Sequence, residues 1–255
     1  MILIDTHAHT YLKEFDQDRK QSIERAISAG VQKILLPNID STSIDDMLKL
    51  SVEFPEICLP MMGLHPTSVD ENYETELKLV ETWLKKQKFI AIGEIGMDLY
   101  WDKTFVEQQK ICFKRQLELA NEYNLPVAIH IRKAFDETFA VLKQLNQAKF
   151  CGVFHCFSGD LRQAQKAIEA GFYLGIGGVV TYKNAGLQEV IKEISLEKLV
   201  LETDAPFLTP VPYRGKRNES SYLQNIAEKI AEIKNISAEK VGEITSENAR
   251  ELFDL

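Results

Sequence analysis

A chain of 255 residues with 45% hydrophobic and 27% charged side chains carries enough apolar material for one large core or two small ones. Its 30 basic and 38 acidic residues leave a net charge of −8, the wrong sign for gripping a long stretch of nucleic acid non-specifically, although bound cations or a local basic patch can still govern the field inside a site. No apolar run approaches the roughly 18 residues a membrane span needs, and Met1-Ile2-Leu3-Ile4-Asp5 has no basic stretch ahead of an apolar one, so neither membrane association nor a signal peptide is expected. Cys58, Cys112, Cys151 and Cys156 show no CxxC spacing and sit mostly within apolar segments, which fits small buried hydrophobes in a reducing cytoplasm.

Along the chain, short β-like apolar runs recur at 2–5, 33–37, 57–62, 89–93, 126–130, 150–155, 172–176 and 198–203. The segments between them show helical period, as with Ile23, Ala26 and Ile27 in the first and Ile111, Leu117 and Ala120 in the fourth. The fourth also opens with a capping-box pattern, Thr104-Phe105-Val106-Glu107. Near-continuously apolar strands alternating with helices predict an α/β protein, a (β/α)8 TIM barrel forming a single domain over 1–255. No linker or composition shift divides it.

All five histidines fall at or just beyond a predicted strand end: His7, His9, His65, His130 and His155. Glu94 ends the fourth run and Asp204 the eighth. A barrel gathers its strand C-termini at one rim, where such folds place their active sites. Imidazoles and carboxylates delivered there are what a metal-dependent hydrolase needs, because divalent ions take N and O ligands and acidify bound water. Residues two apart in an extended strand point the same way, so Asp5, His7 and His9 are expected on one side of their strand, and Glu202 and Asp204 are expected to share a face of theirs.

Taken singly, each element has a plain structural explanation. A lone His-x-His pairs by chance, His130 and His155 read as core histidines, Glu94 as a loop cap, and Asp204 before Ala205-Pro206 as a turn residue. Jointly those explanations fail, since chance must then put every histidine near a strand C-terminus and none in the long helices. A carboxylate after a wholly apolar strand also has to be paired or metal-bound to offset desolvation. His65, in the loop Gly63-Leu64-His65-Pro66, can face either metal or substrate. Gly175, Gly177 and Gly178 read as turn residues, Tyr100 and Trp101 as a stacking surface or packing, and Arg214-Gly215-Lys216-Arg217 as a phosphate-contacting loop or a solvated one.

With these residues placed, the chain resembles the TatD family of metal-dependent deoxyribonucleases, within the amidohydrolase-like metal barrels. The motifs agree in order: Asp5-Thr6-His7-Ala8-His9, Gly63-Leu64-His65-Pro66, Gly93-Glu94-Ile95-Gly96-Met97-Asp98, Ile129-His130-Ile131-Arg132, His155-Cys156-Phe157-Ser158-Gly159, Glu202-Thr203-Asp204-Ala205-Pro206 and Arg214-Gly215-Lys216-Arg217-Asn218. The likeness extends to Asn248-Ala249-Arg250-Glu251-Leu252-Phe253, with one departure at Ser220, where a proline is expected.

The resemblance implies two divalent ions, one on His7, His9, Glu94 and Asp204, the other on Glu94, His130 and His155, with Glu94 bridging. It implies hydrolysis of DNA phosphodiesters, mainly from the 3′ end, supported by magnesium or manganese; the imidazoles would equally suit zinc. Asp204 and Glu94 are then the catalytic carboxylates, His65 with Arg132 or Arg214 holds phosphate oxygens, and Glu202 orients a histidine ligand from behind. The expected partner is single-stranded DNA or a 3′ end as substrate, with no stable protein partner. Two rival readings stay open: a related barrel cleaving another ester or amide, such as D-aminoacyl-tRNA, and a non-catalytic metal-stabilised scaffold.

Overall fold

Ile4, Leu35, Met61, Ala128, Val153 and Val200 come from six different strands and meet in one buried cluster, which is the interior of a barrel. The computed structural model describes residues 1–145 and 150–255. Its strands are β1 (Leu3–Asp5), β2 (Val31–Pro37), β3 (Cys58–Met61), β4 (Ile92–Asp98), β5 (Val127–Arg132), β6 (Gly152–Phe154), β7 (Phe172–Ile176) and β8 (Leu199–Leu201). They pair in parallel in the orders β1-β2-β3 and β4-β5-β6-β7-β8. Two further parallel bridges, Met62 to Ile92 and Ala8 to Ala205, join the two sets, and the amide of Thr6 donates to the Leu201 carbonyl at 3.0 Å. The ladder therefore closes on itself and leaves no free edge among the described residues.

Helices α1 (Arg19–Ser28), α2 (Ile44–Glu53), α3 (Tyr73–Lys86), α4 (Val106–Tyr123), α5 (Phe135–Gln144), α6 (Leu161–Glu169), α7 (Leu187–Glu193) and α8 (Leu223–Lys234) follow the strands in turn, as parallel pairing requires of its crossovers. The alternate strand residues, among them Leu3, Ile34, Leu36, Ile129, Phe154 and Leu201, face this helical layer and form the larger apolar cluster. The last helix, α9 (Ala238–Phe253), sends Ala249, Leu252 and Phe253 into the interior cluster, so side chains fill the barrel end away from the strand C-termini.

Several sequence expectations need correction. The fourth strand is displaced from 89–93 to Ile92–Asp98, so Glu94 lies inside it and not at its end. A register shift between Ile92 and Ile95 changes the facing of the strand: Ala91 belongs to the interior cluster while Ile95 and Met97 pack outward against the helices. The fifth strand runs on to Arg132, which places His130 within it. Ile27 and Ile111 are exposed, the buried faces of their helices being set by Ile23 with Ala26 and by Phe113, Gln116, Leu117 and Ala120. The box at Thr104 does not form, because Asp102 accepts the Thr104 amide and α4 starts on an uncapped Phe105; a reciprocal box forms instead at α6, between Asp160 and Gln163.

The plug yields a stability prediction. Replacing the buried Phe253 by Ala removes the largest side chain that α9 contributes to the interior. Phe253→Ala is expected to cost about 3 to 5 kcal/mol in urea-induced unfolding. An unchanged midpoint would show that the barrel does not depend on α9 to close its base.

Candidate metal centre

The same two-residue period that fills the barrel with Ala128, Val153 and Val200 puts His130, His155 and Glu202 one layer above them, at the mouth. In β7 the corresponding position after Tyr173 is Gly175, and a Cβ there would lie 2.2 Å from Oε2 of Glu202. The glycine is thus required for space, not for a turn as its sequence context suggests. His7 and His9 arrive differently. They lie beyond β1, in the segment whose Ala8 pairs with Ala205, and the Asp204 amide donates to the His7 carbonyl at 2.9 Å. Asp5 does not join them at the mouth. It faces the opposite way from Ile4 and accepts from the Thr203 amide at 2.9 Å and the Thr203 hydroxyl at 2.6 Å, locking β1 to β8 beneath the site. Burial pushes the Asp5 carboxyl up to about 7 against those hydrogen bonds.

Glu94 is the centre of the arrangement, with 2% of its surface exposed. Its Oε2 lies 3.1 Å from His7 Nε2 and 3.5 Å from His9 Nε2. Its Oε1 lies 2.8 Å from His130 Nδ1, 3.2 Å from His65 Nε2 and 3.6 Å from His155 Nε2. Each carboxylate oxygen therefore addresses a separate group of imidazoles. Asp204 closes the ring, its Oδ1 standing 3.7 Å from His9, 3.8 Å from His155 and 4.0 Å from His7. Burial raises Glu94 and the imidazoles of His65, His7 and His155 outweigh it, holding the carboxyl well below the usual range. Burial dominates at Asp204 and pushes it up to about 6. His7 is held low by burial and by His155, which stacks on it at 3.4 Å; burial also lowers His155, but Glu202, Glu94 and Asp204 outweigh it and hold that imidazole at about 10.

The far side of each ring decides which nitrogen faces inward. Tyr11 donates its hydroxyl to the Pro37 carbonyl, so its oxygen accepts from His9 Nδ1 at 2.9 Å and leaves the His9 Nε2 lone pair toward Glu94. His65 is the reverse: its Nδ1 accepts from the Thr67 amide at 3.1 Å, so a neutral His65 presents an Nε2–H donor to the site, and burial keeps it neutral. Asp98 Oδ2 sits 2.9 Å from His130 Nε2 and frees Nδ1 for the centre. Glu202, fully buried, lies 3.0 Å from His155 Nδ1 and accepts the Cys156 amide.

Among the described residues four groups bring their ligand atoms close enough to hold a metal ion: His7-His9-Glu94, His65-Glu94-His130, His7-His155-Asp204 and, behind them, His155-Cys156-Glu202. The donor chemistry fits one: imidazole nitrogens and carboxylate oxygens, with no lysine or arginine among them to neutralise the carboxylates. A 700 Å3 cavity opens over the group, walled by Trp101, Arg132, Phe207 and Leu208.

Arg132 lines this cavity and its guanidinium stacks 3.9 Å over Tyr100 and 5.1 Å over Trp101, both exposed. Arg214 does not line it and lies over Tyr182 at 4.2 Å. Arg217 is held by Asp18 at 2.6 Å and Glu219 at 3.5 Å. Asn218 anchors that loop beneath Asp204 by donating to the carbonyls of Thr203 and Phe207, and the buried Ser220 opens a short 3-10 turn. Asp98 was the residue sequence reasoning passed over. Besides His130 it accepts the amides of Tyr100 and Trp101 at 2.8 and 3.2 Å, tying the aromatic loop to the centre. Its position four residues after Glu94 is the signal that was available.

A family model described as TatD related DNase matches residues 4–254. The chain is 40% identical over 253 residues to the uncharacterized metal-dependent hydrolase YabD of Bacillus subtilis, covering 99% of each. It is 32% identical to the corresponding YjjV of Escherichia coli, over 99% of this chain and 98% of the other. The crystal structure of YjjV, a TatD homolog, superposes with a TM-score of 0.93 at 31% identity, covering 99% of this chain and 98% of that one.

Because Asp98 fixes the ring of His130, Asp98→Asn is expected to weaken divalent-metal affinity about 10- to 100-fold while the fold survives. Calorimetric titration of the metal-free protein with manganese or zinc measures this. Wild-type affinity in the variant would reduce Asp98 to a loop anchor.

Proposed function

Because the chain belongs to the TatD-related DNase family and is a metal-dependent hydrolase, we propose that the single barrel spanning 1–255 is a deoxyribonuclease, degrading single-stranded DNA from the 3′ end in the cytoplasm. The observation that carries the reading is the division of Glu94, with Oε2 toward His7 and His9 and Oε1 toward His130, His65 and His155. One carboxylate turned to two sets of imidazoles suits a pair of ions, which His7, His9, Glu94 and Asp204 on one side and Glu94, His130 and His155 on the other would hold. Divalent cations held there would polarise the phosphoryl oxygens and bring the pKa of a bound water from 15.7 down to about 7. Magnesium or manganese suits the phosphate chemistry and zinc the imidazoles.

The protein's own groups then divide the work. Asp204 stands at the open side of the cluster and takes the proton of the attacking water. As that oxygen bonds to phosphorus, the bond to the 3′-oxygen of the preceding nucleotide breaks, and that oxygen leaves with a proton from solvent. His65 donates from Nε2 to a non-bridging phosphoryl oxygen, and Arg132 supplies the second contact. Arg214 stands further out, over Tyr182, and serves the approach of the strand rather than the scissile phosphate. Glu202 and Asp98 hold His155 and His130 in their facing.

Glu94→Ala is expected to abolish hydrolysis and release both metals, with the far-UV circular dichroism of the barrel intact. Chelation should do the same to the wild type. His65→Ala, in contrast, should lower turnover or substrate affinity at unchanged metal stoichiometry by elemental analysis. A Glu94→Ala protein that keeps both ions and near-normal turnover would overturn the site, and collapse of the fold on chelation would favour a structural metal instead.

The exposed aromatics near the mouth, Trp101, Tyr100 and Phe207, offer faces to unstacked bases that a duplex would not present. Single-stranded DNA and frayed 3′ ends are expected to be cleaved at least tenfold faster than blunt duplex. End-labelled oligonucleotides measure both preference and polarity. Equal rates on the two forms, or mononucleotides released only from the 5′ end, would refute it, and turnover confined to aminoacyl-tRNA or simple esters would move the chain to another hydrolase class.

A further inference from the structure

Ile131, Arg132, His155, Cys156 and Ser158 line two cavities, not one. The first is the 700 Å3 space over the carboxylates and histidines. The second, of 610 Å3, extends along the loops after β5 and β6, where Tyr100, Lys133, Phe135, Phe157 and Gln163 wall it. Both volumes are those of ligand sites, which run from about 300 to 1,000 Å3.

The partition between them is a stack. Arg132 lines both chambers, Trp101 only the first and Tyr100 only the second, and the guanidinium lies over both rings. Each chamber is therefore bordered by one aromatic ring beside a shared cation. The charge of that cation is not spent on a carboxylate. Arg19, Arg25, Arg115, Arg217 and Arg250 are each ion-paired, whereas neither Arg132 nor Lys133 has an ion-pair partner among the described residues. In a chain of net charge −8, two adjacent unpaired cations at the threshold of a cavity form a local anion receptor. Arg132 ends β5, and Lys133, at φ +56°, turns the chain directly into α5. Asp136 and Glu137, in the first turn of α5, line the same chamber and offer acceptors to the exocyclic amines of a base.

We propose that the second chamber is the subsite for the nucleotide on the 5′ side of the scissile phosphate. The base of that nucleotide lies against Tyr100, and its own 5′-phosphate sits on Lys133 at the edge of Arg132. The terminal nucleotide occupies the first chamber against Trp101. This rests on the nuclease reading and deepens it, since it makes the productive substrate a strand with two successive phosphates and not an isolated diester.

The test uses the manganese-loaded protein and three substrates: bis(p-nitrophenyl) phosphate, a deoxydinucleotide without a 5′-phosphate, and the same dinucleotide carrying one. The 5′-phosphate is expected to raise kcat/KM at least fivefold, chiefly through KM. Lys133→Gln should remove most of that gain, and Tyr100→Leu should lower kcat/KM on the dinucleotides several-fold more than on the small diester. Cleavage of all three substrates with no gain from the 5′-phosphate, or equal losses on every substrate in both variants, would overturn the subsite and leave the nuclease reading standing. No cleavage of any of them would overturn the nuclease reading and the subsite with it.

Discussion

A carboxylate buried to 2% exposure among imidazoles is the constraint on which the upper half of the barrel depends. An isolated ion at that depth would cost several kcal/mol in desolvation, so Glu94 must be surrounded by donors or cations wherever the chain places it. The molecule rings it with His7, His9, His65, His130 and His155, all within 3.6 Å of its oxygens; His65 presents a donor there, while His9 and His130 present lone pairs that call for a cation between them and the carboxylate. These rings in turn need partners on their outer edges, which explains Tyr11 behind His9, Thr67 behind His65, Asp98 behind His130 and Glu202 behind His155. Polar groups are therefore buried in matched layers: Glu94, then imidazoles, then the residues that set their tautomers.

The barrel makes those layers possible through its two-residue period. Apolar Ala128, Val153 and Val200 pack the interior, and the next inward position of each strand carries a polar group held above that dry layer. Closure by hydrogen bonds between the Asp204 amide and His7 and between Thr6 and Leu201 brings the first and last strands side by side, so residues almost two hundred positions apart share one site. Asp5 with Thr203 and Asn218 with the carbonyls of Thr203 and Phe207 brace this seam from below. The positive φ of Asp204, +57°, is held in place by the same bonds.

Charge is distributed with the same economy. Most arginines of this acidic chain serve as internal fasteners, Arg25 and Arg217 joining α1 to the loop after β8 through Asp18 and Glu219. Arg132 is held by aromatic faces instead, which fixes its direction without neutralising it. A guanidinium kept that way stays available to an anionic ligand beside the carboxylate cluster.

The sequence alone determined the fold class and the identity of the cluster, because parallel strands covered on both faces leave apolar runs and because every histidine sits near the end of one. Helix faces were legible to the extent that period alone defines them, with Ile23, Ala26, Leu117 and Ala120 buried but Ile27 and Ile111 outside. Tertiary structure decided what depends on neighbours distant in the chain. The register shift that turns Glu94 inward and displaces β4 has no local signature, since Gly93, Gly96 and Asp98 break the apolar run where the strand continues. The basic loop at 214–217 looked like a phosphate contact, and only the partners of Arg217 and the position of Arg214 over Tyr182 distinguish fastener from rim. Gly175 read as a turn because the group it makes room for, Glu202, lies in another strand. Which nitrogen each histidine presents belongs to the fold for the same reason: composition and period specify which groups are buried, while the direction of a ring is set by contacts made across the barrel.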